Sequence, residues 1–302
     1  MEKAVFPPTC PVSTLWQTRL DAPFDRGVRV TGEYHRRRGA QTLVVIVHGL
    51  GGCAESPYVV EAAAGVRRAG FSSLRLNMRG AEHSGEDIYH GGLTQELHAV
   101  FEDEAFQRYE RIAVLGFSLG GHIALRAATE PIDDRVVGVA AVCSPVDLGG
   151  VQRWIDGTGR FVYREYVLRA LGEAYGAVAR RGRAPTALAR VRAAKSLREW
   201  DRLTVVPRFG FDSVSDYYRR ASVADRLADL QCPGLLVLAA DDPMIPVDRV
   251  VGAIPEDADE LRTIVADRGG HVFFPSSLDL GLARRMGLVP QVAGWLNDRC
   301  PE

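Results

Sequence analysis

The chain has 302 residues, of which 46% are hydrophobic and 25% are charged, and its formal net charge at pH 7 is -1. This composition fits one large soluble domain with a sizeable core, and it excludes disordered and fibrous proteins. The near-zero charge gives no argument for nucleic-acid binding, and no Rossmann, P-loop or zinc-finger spacing occurs.

The cysteines and the start of the chain bear on compartment. Five cysteines lie at positions 10, 53, 143, 232 and 300, odd in number and without a C-x-x-C pair, so neither a disulfide framework nor a metal site is expected. Prolines stand where a signal peptide needs an apolar core, and no run approaches ~18 apolar residues. These features predict a cytoplasmic protein without a transmembrane segment.

Apolar runs and helix-like stretches alternate along most of the chain. An antiparallel pair is expected within residues 24–37. Alternation of strands with helices predicts an α/β fold with a mostly parallel sheet. The further strands are expected near 42–47, 71–76, 111–117, 136–143, 234–240 and 261–266.

The interval 147–228 breaks this alternation, because it is long and helix-patterned. We expect a core domain formed by residues 1–146 and 229–302, with a helical cap inserted after the sixth strand. Residues 151–220 carry 15 Lys/Arg against 7 Asp/Glu. This basic surplus either attracts anionic substrates or is a solvated surface facing acidic patches of the core. The arginines clustered around Pro185 favour the second interpretation.

Residues 116–120 read G-x-S-x-G between an apolar run and a helix-like stretch. A tight strand-to-helix turn holds a serine hydroxyl away from the backbone, above a helix N-terminus. Ser118 is therefore the candidate nucleophile. The pattern alone also fits an ordinary turn or helix N-cap, so its position relative to other motifs decides.

The sequence His48-Gly49-Leu50-Gly51-Gly52 follows the run 42–47. A loop in this place supplies one backbone N–H of an oxyanion hole, and the residue after the nucleophile supplies the other. The expected donors are Leu50 and Leu119. We assign the His48 side chain only to bonding the loop together.

Two further strands end in polar groups. The run 234–240 ends at Asp241 and Asp242, followed by prolines, and the run 261–266 leads through glycines to His271. An acid in such a turn can orient a histidine, which shuttles protons near neutral pH. Asp242 fits the turn, whereas Asp241 requires a shift by one residue. The order Ser118, Asp242, His271 is that of the α/β-hydrolases.

Additional motifs carry a family resemblance. They are Asn77-Met78-Arg79-Gly80, Tyr89-His90-Gly91-Gly92, Gly210-Phe211 with Asp216-Tyr217-Tyr218 and Ser222, and Gly269-Gly270-His271. With these, the chain resembles abhydrolase-domain esterases related to bacterial YheT-type hydrolases and fungal medium-chain fatty acid ethyl ester synthase/esterases. The resemblance implies an α/β-hydrolase fold and a Ser118, Asp242, His271 triad. It also implies an oxyanion hole from Leu50 and Leu119, ester or acyl-lipid substrates and no cofactor.

Two positions depart from the family pattern near the expected acyl site. Cys53 stands where a serine is expected, and Phe273-Phe274 is bulkier than the residues often found there. Both leave substrate preference open. Five aromatic residues of the cap either line an acyl pocket or form the cap's own core: Trp154, Phe161, Tyr163, Tyr166 and Tyr175.

Together the motifs predict a serine carboxylesterase that cleaves short- to medium-chain acyl esters or acyl lipids through an acyl-enzyme. The same residues would serve an acyltransferase or a thioesterase. A non-catalytic ligand-binding protein of this fold is a third possibility, against which the complete Ser/Asp/His set argues. The oligomeric state is left open.

Overall fold

A single sheet organises the computed structural model, which describes residues 12–20 and 27–299. Its strands are β1 (Thr14–Leu20), β2 (Val28–His35), β3 (Thr42–Val47), β4 (Ser72–Asn77), β5 (Arg111–Phe117), β6 (Val136–Val142), β7 (Gly234–Ala239) and β8 (Leu261–Ala266). They lie in the order β1-β2-β4-β3-β5-β6-β7-β8. β2 pairs antiparallel with both β1 and β4, and all pairings from β4 to β8 are parallel. The predicted α/β fold with a mostly parallel sheet is confirmed.

The inner strands explain why their positions were predictable. Every residue of β3, β4 and β7 is buried, because helices cover both faces of the sheet. Strands buried on both faces usually have nearly continuous apolar sequences, which stand out from the helices around them. β3 and β7 follow this rule, whereas β4 alternates polar residues with Leu74 and Leu76. From residue 42 onward, the predicted strands agree with the structure to within one residue at each end.

The prediction for residues 24–37 was only partly correct. β2 lies in this range, but its antiparallel partner β1 begins earlier, at Thr14. Residues 21–26 lie outside the described part of the chain. β1 is hard to find from sequence because only Trp16 and Leu20 in it are buried, so it lacks the apolar alternation of a half-buried strand.

Helices cover both faces of the sheet, and a further group of helices lies between β6 and β7 in the chain. α1 and α11 pack together on one face, and α2 and α3 lie on the other. Three short 3₁₀ turns occur at Ala81–His83, Glu104–Phe106 and Ala224–Asp229. The helices are α1 (Pro57–Ala69), α2 (Gln95–Glu102), α3 (Leu119–Ala128), α4 (Leu148–Ile155), α5 (Phe161–Arg180), α6 (Leu188–Arg192), α7 (Leu197–Leu203), α8 (Val205–Phe209), α9 (Val214–Ala221), α10 (Val247–Val251) and α11 (Leu288–Asn297).

The six helices α4 to α9 all fall between β6 and β7 in the chain, the interval in which a helical cap is expected. We call residues 148–221, which contain these helices and the turns between them, the helical segment. Its first helix is tied to the turn after β7, because Trp154 Nε1 donates a hydrogen bond to the carbonyl of Pro243 (3.1 Å). The division of the chain into a core and a cap domain stays a prediction. None of the described helices has the length and apolar character required to cross a bilayer.

Candidate active site

Ser118 lies at the junction of β5 and α3, where the chain turns sharply. Its backbone has φ 50° and ψ -122°, a conformation that non-glycine residues rarely adopt. The Ser118 N–H donates to the carbonyl of Val142 (2.8 Å), and its own carbonyl accepts from Gly121 and His122 at the start of α3. These bonds hold the strained turn in place, as expected where a conformation is part of a site.

The two glycines of the G-x-S-x-G pattern permit this turn. A Cβ added to Gly116 would lie 2.4 Å from the carbonyl oxygen of Gly120. A Cβ added to Gly120 would lie 2.3 Å from the carbonyl oxygen of His48. Both positions need glycine because backbone atoms of α3 and of the loop after β3 approach too closely for any side chain.

Asp242 and His271 come together from the ends of β7 and β8. His271 Nδ1 lies 3.0 Å from Asp242 Oδ2, and the side chain of Asp242 is only 1% exposed. The other carboxylate oxygen of Asp242 accepts hydrogen bonds from the N–H groups of Met244 (2.8 Å) and Ile245 (3.0 Å). Asp241, by contrast, is exposed.

Strained backbone recurs beside this pair. Val272, the residue after His271, has φ 59°, and Cys143, at the end of β6, has φ 47°. Together with Ser118 these residues follow three strands of the parallel sheet. Such conformations persist only where the surrounding structure enforces them, which is common at functional sites.

The loop after β3 leaves one of its N–H groups unused. The N–H groups of Gly49 and Gly51 donate to the hydroxyls of Tyr58 and Tyr89 (2.9 Å each), and Gly52 N–H donates to the Gly49 carbonyl. Among the described residues, the N–H groups of Leu50 and Leu119 have no hydrogen-bond partner. Free N–H groups next to a nucleophile are what an oxyanion hole requires.

Side chains behind the loop fix its shape. The Tyr89 hydroxyl accepts from Gly51 and donates to the carbonyl of Gly49 (2.9 Å), and burial raises its pKa, so it remains protonated. Burial also lowers the pKa of His48 to about 4. The neutral His48 ring then donates from Nδ1 to the Gly49 carbonyl and accepts at Nε2 from Met78 N–H. His48 therefore bonds the loop together, as expected. Sequence reasoning missed Tyr58, which belongs to no motif.

The Asn77-Met78-Arg79-Gly80 segment supports the same loop. Asn77 Oδ1 accepts from Ala54 N–H (2.7 Å), just beyond the glycines. Arg79 and Glu96 form an ion pair in which neither side chain is exposed, with Arg79 Nε 2.6 Å from Glu96 Oε1. Buried pairs of this kind specify one arrangement, because removing either partner leaves an unpaired charge.

Ser118 and His271 open into one cavity of about 680 Å³. No hydrogen bond joins these two side chains within the described residues. Most of the cavity wall is apolar and comes from α4, α5 and α7 together with the loop after β3. Phe273, one of the two departures from the family pattern, also lines it and is 60% exposed. A cavity of this character suits an apolar chain.

The aromatic residues of the helical segment divide between the two expected roles. Tyr163 and Tyr166 line the cavity. Tyr175 is fully buried away from it, and its hydroxyl donates to the carbonyl of Thr186 (2.7 Å). Phe161 is 62% exposed. Only part of the aromatic set therefore contributes to a pocket.

Several arginines of the helical segment pair with acids that lie between β4 and α2 in the chain. Arg181 and Arg183 both contact Glu86, and Arg208 binds Asp87 through Nη2 at 2.5 Å. The acids are nearly buried, at 8% and 1% exposed. This agrees with the interpretation of the basic surplus as a surface that faces acidic patches.

One group of side chains has metal-ligand types. The ligand atoms of Cys143, Asp242 and His271 lie within 4.8 Å of one another. Both carboxylate oxygens of Asp242 are already occupied, by two N–H groups and by His271. Burial raises the pKa of the Cys143 thiol, which disfavours the thiolate that a metal requires. The donor chemistry therefore fits an acid–histidine pair better than a metal site.

Comparison with known proteins identifies the same family as the motifs do. The family profile described as alpha/beta hydrolase fold matches residues 42–277. The chain is 30% identical over 272 residues to the putative esterase YheT of Escherichia coli (strain K12), covering 86% of this chain and 75% of that protein.

More distant likenesses include a fungal protein and a solved structure. Medium-chain fatty acid ethyl ester synthase/esterase 2 of Saccharomyces cerevisiae is 24% identical over 261 residues, which are 77% of this chain and 58% of the yeast protein. The structure of an esterase from Pyrococcus furiosus aligns with a TM-score of 0.57 at 17% identity, over 86% of this chain and 84% of that one. The likeness to the Pyrococcus furiosus structure shows a shared fold.

Proposed function

The chain belongs to the α/β-hydrolase fold family, in its YheT-type branch, and we propose that it is a serine carboxylesterase with Ser118, Asp242 and His271 as its triad. Relatives named as esterases support the broader statement that it is a carboxylesterase-type hydrolase. The observation that carries the finer proposal is the hydrogen bond between His271 and Asp242 at a cavity that also contains Ser118.

In the proposed reaction, Ser118 Oγ attacks the ester carbonyl while His271 Nε2 takes its proton. This transfer requires Ser118 Oγ and His271 Nε2 to come within hydrogen-bond distance in the substrate complex, where catalytic hydrogen bonds often tighten. The N–H groups of Leu50 and Leu119 stabilise the tetrahedral oxyanion. His271 then protonates the leaving alcohol and activates the water that releases the acid.

Asp242 is a positioning residue in this scheme. Its contact with Nδ1 leaves Nε2 of His271 as the proton acceptor, and its charge stabilises the imidazolium that forms. The apolar cavity supports an acyl chain of short to medium length as the group bound beside Ser118.

Labelling by a fluorophosphonate tests the nucleophile directly. The wild type should react at Ser118, and Ser118→Ala should lose both the label and about 10³-fold or more in kcat for a p-nitrophenyl ester, because the nucleophile is gone. Ser215→Ala is the matched control, since this exposed serine on α9 lies outside the cavity wall. A circular dichroism spectrum equal to that of the wild type would show that the variant folds.

Two outcomes would contradict the proposal. Ser118→Ala with kcat within about tenfold of the wild type would exclude this nucleophile. A folded wild type that is neither labelled nor active on esters would indicate a ligand-binding protein instead.

A further inference from the structure

Exposed apolar side chains gather around the mouth of the active-site cavity. Nine large apolar or aromatic side chains of the described residues are exposed, and five of these lie in this one place. Single residues of this kind are normal on a protein surface, whereas a group of them marks a site of interaction. We call the group the apolar rim: Phe161, Val162, Tyr166, Phe273 and Met286.

Three members of the apolar rim form the mouth itself. Val162, Tyr166 and Phe273 line the cavity, and each of them is also more than half exposed. A side chain can do both only where the cavity opens to solvent. Because Ser118 and His271 line the same cavity, this mouth gives access to both.

The other two members extend the rim on either side of the mouth. Phe161 is the first residue of α5 and directly precedes Val162. Met286 is 57% exposed, and it lines a smaller cavity of about 220 Å³ together with Phe273. The rim therefore joins the start of α5 to the segments that follow β8.

The first turns of α5 carry apolar residues on two faces. Val167 and Leu171 are four residues apart and share the buried face of the helix. Val162 and Tyr166 are also four residues apart, and they share the exposed face. A surface helix normally keeps its apolar residues on the buried face alone. The outer face of α5 is thus available to a partner with an apolar surface.

The charged groups beside the rim suit a phospholipid. Arg284 and Arg285 directly precede Met286, are exposed and form no ion pair within the described part of the chain. A guanidinium group binds phosphate well. Aromatic side chains with a polar tip, such as Tyr166, are favoured where apolar chains meet water. A phospholipid surface offers phosphate and apolar chains together.

We propose that the apolar rim docks on a phospholipid surface, with the mouth of the cavity facing the lipid. The choice of lipid over protein rests on the proposed esterase function, because substrate must pass the mouth. A folded partner or a second copy of the chain seated on the rim would cover the entrance to Ser118. Fluid lipid covers the rim and still lets an ester dissolved in it enter the cavity. Docking of this kind is peripheral, since only side chains enter the headgroup region.

Flotation with vesicles made of equal parts phosphatidylcholine and phosphatidylglycerol tests the proposal. The wild type should float with the vesicles. Phe161→Ser and Met286→Ser should each lower the partition coefficient by about tenfold, because a large apolar side chain no longer leaves water on binding. Neither residue lines the active-site cavity. Both variants should therefore keep the wild-type kcat/KM for a dissolved p-nitrophenyl ester.

Leu15→Ser is the matched control. Leu15 is 64% exposed, close to the 62% of Phe161, and it lies on β1 at the edge of the sheet, outside the cavity wall. Its substitution removes a comparable apolar side chain from the surface. Binding to vesicles should stay that of the wild type, because this side chain lies away from the rim.

The failure of this proposal is distinguishable from that of the esterase proposal. Vesicle binding needs no reaction, so Ser118→Ala should float as the wild type does. A wild type that hydrolyses esters but does not float overturns the docking and leaves the esterase proposal standing. Flotation without ester hydrolysis supports the docking and overturns the esterase proposal.

Three further results would overturn the docking. The first is wild-type vesicle binding by the double variant Phe161→Ser/Met286→Ser. The second is a loss of binding in Leu15→Ser as large as that in Phe161→Ser. The third is a dimer in the absence of lipid, measured by sedimentation equilibrium, that the same double variant dissociates, because a second copy would then cover the rim.

Discussion

The ends of the strands and the helical segment above them build the two sides of one cavity in different ways. At the strand ends, backbone geometry sets each position: Ser118 sits in a strained turn, and two N–H groups hold the carboxylate of Asp242. In the helical segment, side chains from α4, α7 and α9 meet, and the buried Gln152 Oε1 and Trp200 Nε1 have no hydrogen-bond partner among the described residues.

This difference separates reaction from selection. A reacting group must be positioned to within a fraction of an ångström, which rigid backbone achieves better than a long side chain. A binding surface built from side chains on several helices can change one residue at a time without disturbing that geometry. We therefore expect substitutions at the strand ends to change kcat, and substitutions in the helical segment to change preference and stability.

The largest effect is expected at the acid. Asp242→Asn leaves His271 free to adopt the wrong tautomer, so kcat should fall by up to about 10⁴-fold, as in trypsin-like proteases. Asp241→Asn is the matched control. The Asp241 carboxylate is exposed, so its substitution should reduce kcat far less. Measuring kcat of both variants by steady-state kinetics decides which aspartate acts with His271. A larger loss in the Asp241 variant would reverse the assignment.

A smaller effect is expected behind the oxyanion loop. Tyr89→Phe removes the hydroxyl that bridges Gly49 and Gly51, so the Leu50 N–H should be held less firmly. Losing about 1.4 kcal/mol of transition-state stabilisation corresponds to a tenfold fall in kcat. KM should change little. Tyr34→Phe should leave kcat unchanged, because this hydroxyl, on β2, bonds that of Tyr109 in the turn before β5. Equal kinetics for Tyr89→Phe and wild type would contradict this role.

In the helical segment, Asp201 should make the free energy of unfolding depend on pH. Burial, with help from the charge of Asp156, raises the pKa of Asp201 to about 7 from its usual 3.8, although Tyr218 and Arg198 oppose the shift. Between these values the folded chain binds more protons than the unfolded chain, so the contribution of Asp201 to the free energy of unfolding falls as pH rises. The variant Asp201→Asn has no carboxyl at this position, so its free energy of unfolding should lack this fall with pH.

The melting temperature of Asp201→Asn relative to wild type should therefore rise between pH 5 and pH 8. Thermal unfolding followed by circular dichroism at several pH values measures it, with Glu199→Gln as the control whose difference stays constant. A constant difference for Asp201→Asn would show that the carboxyl is hydrated in the folded chain and titrates normally.

The smallest effect concerns the basic surplus. Three arginines of the helical segment, Arg181, Arg183 and Arg208, bind Glu86 or Asp87, which favours a surface that faces acids over one that steers substrate. For a neutral ester, kcat/KM should be nearly flat between low and moderate salt, because screening acts only on charged encounters. A steep fall with salt for an anionic lipid ester would instead favour attraction of the substrate by this surface.

The sequence by itself determined the fold class, the inner strands and the sharp turn at Ser118. These are local properties: an apolar run of six residues is a buried strand, and glycines on both sides of Ser118 permit one sharp turn. The order of the motifs added the candidate triad, because the carboxyl ends of parallel strands lie along one edge of a sheet.

Only the tertiary structure decided which groups meet. It places Asp242 rather than Asp241 against His271, and it brings Tyr58 and Tyr89 to the loop of Leu50. It also brings side chains of α4, α7 and α9 together on one side of the cavity. Contacts between residues far apart in the chain leave no periodic or local signal, because they depend on how whole elements pack and not on any one segment's pattern.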